Sequence, residues 1–183
     1  MKVILISGKA RHGKDTFAEM LCEYLVGNDK RVLVAHYADL VKYVCKTFFG
    51  WNGEKDEYGR HILQYVGTDI IRTQKEDYWV DFICDMIEFF GDNWDYVIIP
   101  DTRFPNEISK MKSKFDTIHV RVVRPNFDNG LTEEQKQHQS ETALDEVRPD
   151  YLVVNAGGFE ELRNNAEFFV DDRIYGAEIN ETV

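Results

Sequence analysis

The chain has 183 residues, 43% of them hydrophobic and including 12 Phe and 3 Trp, enough apolar material to fill one domain-sized core. Its formal charge of −11 arises from 33 acidic against 22 basic residues spread along the sequence, which disfavours an extended nucleic-acid surface yet permits a local cationic cleft around a small anion. Three cysteines, Cys22, Cys45 and Cys84, form no C-x-x-C pair and lie in apolar helical patterns, as expected of core thiols in a reducing cytoplasm.

No apolar stretch approaches membrane-spanning length, and the opening MKVILISG meets Gly8 and a charged loop too early to serve as a signal segment. Short β-rich runs alternate with longer segments of helical period, the pattern of an α/β fold with a parallel sheet covered on both faces. Strands are predicted at residues 3–7, 31–36, 96–100, 117–123 and 151–155. Residues 14–26 place Phe17, Met20, Leu21, Tyr24 and Leu25 on one helical face, and Gly27 with Asn28 ends that helix. Residues 38–94 are too long for one crossover, and their periodicity suggests helices at 40–49, 59–73 and 78–90. Residues 126–148 are polar, with Thr132 and Gln135 spaced as a capping box. The acidic end, residues 171–183, is expected to fray.

The strongest chemical signal is Gly8-Lys9-Ala10-Arg11-His12-Gly13-Lys14-Asp15-Thr16, which follows a predicted strand and opens a predicted helix. In that context glycines let backbone N–H groups approach a polyphosphate, and Lys14 reaches its β and γ oxygens. The general pattern places Ser or Thr directly after the lysine as a magnesium ligand; here Asp15 stands there and Thr16 follows. Asp15 can hold a hard cation directly or through water. The plainer reading is an ordinary strand-to-helix turn capped by Asp15.

A second signal is the apolar run Tyr96-Val97-Ile98-Ile99-Pro100 ending on Asp101, a carboxylate placed to reach magnesium or an acceptor. An Asp that merely serves the next turn reads the same way. Arg103 follows within Thr102-Arg103-Phe104-Pro105-Asn106-Glu107 and is a phosphate-ligand candidate, with Pro105 suited to the first turn of a helix.

A series of segments resembles the deoxynucleoside monophosphate kinases of bacteriophages, within the P-loop nucleoside monophosphate kinases. These are GKDT at 13–16, YAD at 37–39 before Lys42, LQYVGTDIIR at 63–72, DYWV at 77–80, PDTRFPNE at 100–107, VRVVRP at 120–125, HQSE at 138–141 and VVNAGG at 153–158. The resemblance implies a three-layer P-loop kinase fold on five parallel strands and magnesium-dependent transfer from ATP to a deoxynucleoside monophosphate. It divides the chain into a core (1–37, 95–125, 149–170), an acceptor-binding insertion (38–94) and a lid (126–148).

Carried over by position, Lys14, Arg103 and Arg124 would be catalytic, Arg124 as the preferred lid arginine with Arg121 beside it. The loop from Gly8 to Thr16 would hold ATP, with Asn155, Ala156 and Gly157 bordering the adenine. Asp39, Lys42, Gln64, Thr68, Arg72, Trp79, Asp101, Arg103, Glu107, His138, Ser140 and Glu141 would meet the acceptor, and Asp15, Thr16 and Asp101 the magnesium. Trp79 reads equally as a core residue, Gln64 and Thr68 as helix hydrogen-bonders, and Asn155 as a strand end. Kinases of dephospho-coenzyme A or phosphomevalonate share such a core, and a non-catalytic ATP-binding protein is a more distant alternative. No nucleic-acid or membrane partner is expected; the oligomeric state is left open, a homodimer being one option, and the implied location is the cytoplasm, that of the host for a phage-encoded chain.

Overall fold

The computed structural model describes residues 1–54 and 56–176. Its centre is β1 (Lys2–Ser7), whose side chains alternate between two cores, as a parallel strand buried on both faces requires. Val3 and Leu5 point to one core, Ile4 and Ile6 to the other. Around it lie β2 (Val32–Val34), β3 (Tyr96–Ile99), β4 (Asp116–Val123) and β5 (Tyr151–Val154), all parallel, in the order β2-β3-β1-β4-β5. The strand order reverses around β1, so the carboxyl ends of β1, β3 and β4 open onto one crevice, the place where α/β sheets bind ligands.

One face is covered by α1 (Lys14–Gly27) and α8 (Phe159–Phe169), which bury Phe17, Leu21, Leu25, Leu162 and Phe169. The other is covered by α2 (Tyr37–Phe49), α3 (Glu57–Gln64), α4 (Tyr78–Phe90) and α5 (Pro105–Lys114). Two short helices, α6 (Glu133–Gln137) and α7 (Gln139–Thr142), lie in the connection from β4 to β5. Cys45 and Cys84 are buried and Cys22 is half-buried. Burial pushes the Cys84 thiol up to about 11, as suits an inert core group.

The differences from the sequence-based elements have tertiary causes. β2 is only three residues long because it is an edge strand, paired with β3 alone. α2 starts at Tyr37 rather than at 40, because the Asp101 carboxylate accepts hydrogen bonds from the N–H groups of Tyr37 (3.1 Å) and Ala38 (2.9 Å). The predicted helix at 59–73 divides into α3 and a π-helical segment, Tyr65–Arg72, where the Trp79 indole N–H donates to the Gly67 carbonyl at 2.9 Å. At the acidic end, Val170–Tyr175 is π-helical and buries Val170 and Ile174, which corrects the expected fraying there. Residues 177–183 lie outside the described residues.

Candidate active site

From the end of β1 the chain turns through Gly8 to Gly13 and enters α1. Gly8 has φ 146°, and a Cβ there would sit 2.3 Å from the Val122 carbonyl oxygen; Gly13 has φ 96°, and its Cβ would meet the Asn155 amide nitrogen at 2.7 Å. Only glycine fits either place. No side chain caps α1, so its first-turn N–H groups face the loop with the positive end of the helix dipole behind them. Lys14 is 8% exposed, and its Nζ donates to the Lys9 carbonyl at 2.9 Å. Burial, followed by the nearby Arg103, lowers its pKa to about 8. This is a cation short of counter-charge, and an arriving anion would supply it.

Arg103 comes from the turn after β3. Its guanidinium donates to the Ser140 carbonyl at 3.0 Å and pairs with the Glu141 carboxylate. The same carboxylate accepts the Ala10 N–H at 3.0 Å. A backbone amide of the glycine loop and an arginine thus converge on one anionic group, the geometry of an oxyanion or phosphate cradle. Lys9 reinforces the contact by donating to the Glu141 carbonyl at 2.5 Å and pairing with Asp145. Between loop and connection lies a cavity of about 270 Å³ lined by Gly8, Lys9, Thr102, Arg103, Arg121 and Glu141, among others.

The structure therefore brings Gly8, Lys9, Ala10, His12 and Lys14 of the loop together with Arg103, Ser140 and Glu141. His138 joins them through Ser140, with its Nδ1 2.9 Å from Ser140 Oγ, and its Nε2 lies 3.9 Å from Asp69 on the π-helical segment. Asp15 is exposed on the first turn of α1 and Thr16 is half-buried next to it.

Other expected residues are placed differently. Trp79 is 2% exposed, on the core face of α4, so it offers no stacking surface. Each Asp101 oxygen accepts one α2 amide, which fixes the carboxylate at the start of that helix. Asn155 spends its side-chain N–H on the His12 carbonyl at 3.0 Å, bracing the loop from behind, while Ala156 and Gly157 are exposed on the next turn. Arg121 belongs to β4 and donates to the carbonyls of Leu144 (2.5 Å) and Val147 (2.7 Å), anchoring the connection instead of closing over the loop. Arg124 is exposed and stacks on Phe127, 4.0 Å from the ring centroid, while its backbone N–H donates to His12 Nδ1.

On the β2–β3 side, Asp39 and Lys42 pair with each other at 2.7 Å, and Gln64 and Thr68 are half-buried on α3 and the π-helical segment. Glu107 is buried and accepts from two backbone N–H groups and from Arg72 instead of facing the crevice. Sequence reasoning missed Asp145 and Thr102, both cavity-lining, because neither belongs to a pattern with a chemical requirement.

Sheet order, glycine loop and buried lysine together define the P-loop kinase fold. The APS kinase of Mycobacterium tuberculosis, solved in complex with AMPPNP and APS, superposes with a TM-score of 0.54 over 93% of this chain and 97% of its own at 10% identity. Shikimate kinase from Aquifex aeolicus gives 0.54 over 96% and 99% at 17% identity. At such identities the likeness is one of fold. The family profile of deoxynucleotide monophosphate kinase matches residues 28–166, and the chain belongs to that family. The deoxynucleotide monophosphate kinase of Enterobacteria phage T4 is 32% identical over 114 residues, 61% of this chain and 45% of that relative. Its counterpart in Escherichia phage RB69 is 29% identical over 110 residues, 59% and 43%. The matched stretch spans less than half the length of these relatives.

Proposed function

We propose that the chain transfers the terminal phosphoryl group of ATP to a deoxynucleoside monophosphate, forming the diphosphate and ADP. The observation that carries this reading is the cradle made by Ala10 N–H and Arg103, already holding a carboxylate beside a buried, under-compensated Lys14, in a member of this family. The family match begins at residue 28, after the glycine loop, so loop geometry and family membership are independent supports.

An oxygen of the acceptor phosphate attacks the γ-phosphorus, the bond to the β,γ-bridging oxygen breaks, and ADP leaves. Positioning and positive charge are the main requirements. Lys14 and the N–H groups of the loop and of α1 hold the β and γ oxygens, and Arg103 reaches the oxygens of the transferring group once Glu141 gives way. Residues 126–148 act as a lid, with Arg124 its candidate cation, and exclude water that would compete with the acceptor. Residues 38–94 receive the acceptor, and the remainder is the core; Asp39, Lys42, Gln64, Thr68, His138 and Ser140 stand on the acceptor side of this reading.

Among the described residues no cluster of three or more His, Cys, Asp or Glu could by itself hold an ion. The exposed Asp15 with Thr16 fits magnesium instead, an octahedral ion that keeps waters and takes most of its protein ligation from one or two carboxylates. When bound, magnesium supplies charge neutralisation between phosphate oxygens. Among the described residues no helix is long and apolar enough to cross a membrane. A cytoplasmic place, with no nucleic-acid or membrane partner, goes with this function.

The test is ATP consumption with magnesium against a panel of deoxy- and ribonucleoside monophosphates, following diphosphate formation directly. Deoxynucleoside diphosphates are the expected product. Protein that binds ATP yet turns over no nucleotide would overturn the proposal and return attention to another small-molecule acceptor.

A further inference from the structure

We propose that Glu107 is a positioning residue for this reaction: one buried carboxylate fixes the backbone from which Arg103 reaches the glycine loop and clamps it to Arg72 of the β2–β3 connection. The inference rests on the kinase reading above.

Glu107 is the third residue of α5 and is 1% exposed. Its Oε2 accepts the N–H groups of Arg103 at 2.7 Å and Phe104 at 3.0 Å, and its Oε1 takes the Arg72 guanidinium. An ordinary carboxylate at this position reaches back only to the N-cap amide and stands in solvent. Here it also takes the amide one residue earlier and a cation 35 residues away. The Arg72 guanidinium carbon sits over the Phe104 ring, 3.8 Å from its centroid, and its Nη1 donates to Asn106 Oδ1 (3.4 Å) and the Glu76 carbonyl (3.3 Å). Arg72 is thereby the counter-ion of Glu107.

With its amide pinned, Arg103 can move only about its own side-chain torsions, and those aim the guanidinium at Ser140 and Glu141 above Ala10. A reacting group held by such a cation is sensitive to displacement, since about 1 Å of misplacement can lower turnover about 100-fold. Removing either partner of a buried pair leaves an uncompensated charge, so the Arg72–Glu107 link ties the β2–β3 connection to the turn that carries Arg103.

The experiment compares the full chain with Glu107→Gln and Glu107→Asp in steady-state kinetics, thermal unfolding and ¹⁵N–¹H spectra. For the folded Gln variant, kcat is expected to drop about 100-fold with KM for ATP within about twofold of the parent, and Asp, which keeps the charge, recovers part of the loss. The Arg103 and Phe104 amide protons, strongly deshielded by a carboxylate acceptor, shift upfield in Gln and less so in Asp. A Gln variant with a lower melting temperature but normal kcat would make Glu107 a plain helix cap and overturn the inference. Should Gln not fold, the Asp variant decides: normal kcat with displaced amides overturns it equally. Should the parent turn over no nucleotide, the function proposed above fails, and unmoved Arg103 and Phe104 amides in the variants would then overturn the positioning role on their own.

Discussion

His119 offers a quantitative test of how the root of the glycine loop is held. It lies on β4, 1% exposed, with Nε2 2.7 Å from the hydroxyl of Ser7, the residue before Gly8. Its Nδ1 is buried and has no partner among the described residues. Burial, with Arg121 adding repulsion, pushes its pKa from 6.5 down to about 4. The neutral ring is therefore the folded form. As pH falls below 6.5 the unfolded chain takes up a proton that the folded chain refuses until about 4, so the stabilisation is complete above 6.5 and disappears across that window. The interval corresponds to about 3 kcal/mol at 1.36 kcal/mol per unit. Urea unfolding at a series of pH values from 7.5 to 4 measures it, with His119→Gln as the reference that cannot titrate. The parent should lose about 3 kcal/mol more than the variant over this range. Parallel pH dependences in the two proteins would refute the argument that this ring is held neutral beneath the loop.

Two further predictions concern the crevice and its neighbours. Glu141→Ala frees the Ala10 amide and Arg103 of their internal anion, so ATP binding measured by calorimetry without acceptor should tighten about 10- to 100-fold, by roughly the 1.5–3 kcal/mol expected of hydrogen bonds to a charged group; unchanged affinity would mean that Glu141 does not occupy a phosphate position. Trp79→Phe removes the indole donor to Gly67 and should lower stability by about 1–3 kcal/mol while leaving acceptor KM near the parent value. A large rise in acceptor KM at normal stability would instead restore Trp79 to the acceptor site.

Much of this architecture is legible because it depends on local pattern. Alternating apolar runs mark all five strands, α4 is bounded by its own periodicity at residues 78–90, and Thr132 with Gln135 forms the capping box that their spacing requires, with hydrogen bonds of 3.2 and 3.1 Å. The glycine loop is legible for the same reason, since Gly8 and Gly13 each answer a steric demand within a few residues of a strand and a helix. What is not legible depends on partners far apart in sequence. Asp101 reads as a metal or acceptor carboxylate, and nothing local announces that α2 folds back and presents two amides to it. Glu107 and Arg72 both carry the charge expected of substrate contacts, yet they neutralise each other because α5 and the π-helical segment meet. Asn155 and Arg121 are similarly diverted to hold the loop and the β4–β5 connection in place. Residue type fixes what a group can do, whereas tertiary contact decides with which partner it does it.

The most direct measurement of the central claim is the turnover of Lys14→Ala with ATP, magnesium and a deoxynucleoside monophosphate that the parent phosphorylates, beside circular dichroism to confirm the fold. The account predicts a folded variant whose kcat is lower by orders of magnitude, because the cation that meets the transferring phosphoryl group is gone. Near-normal turnover in that variant would contradict it.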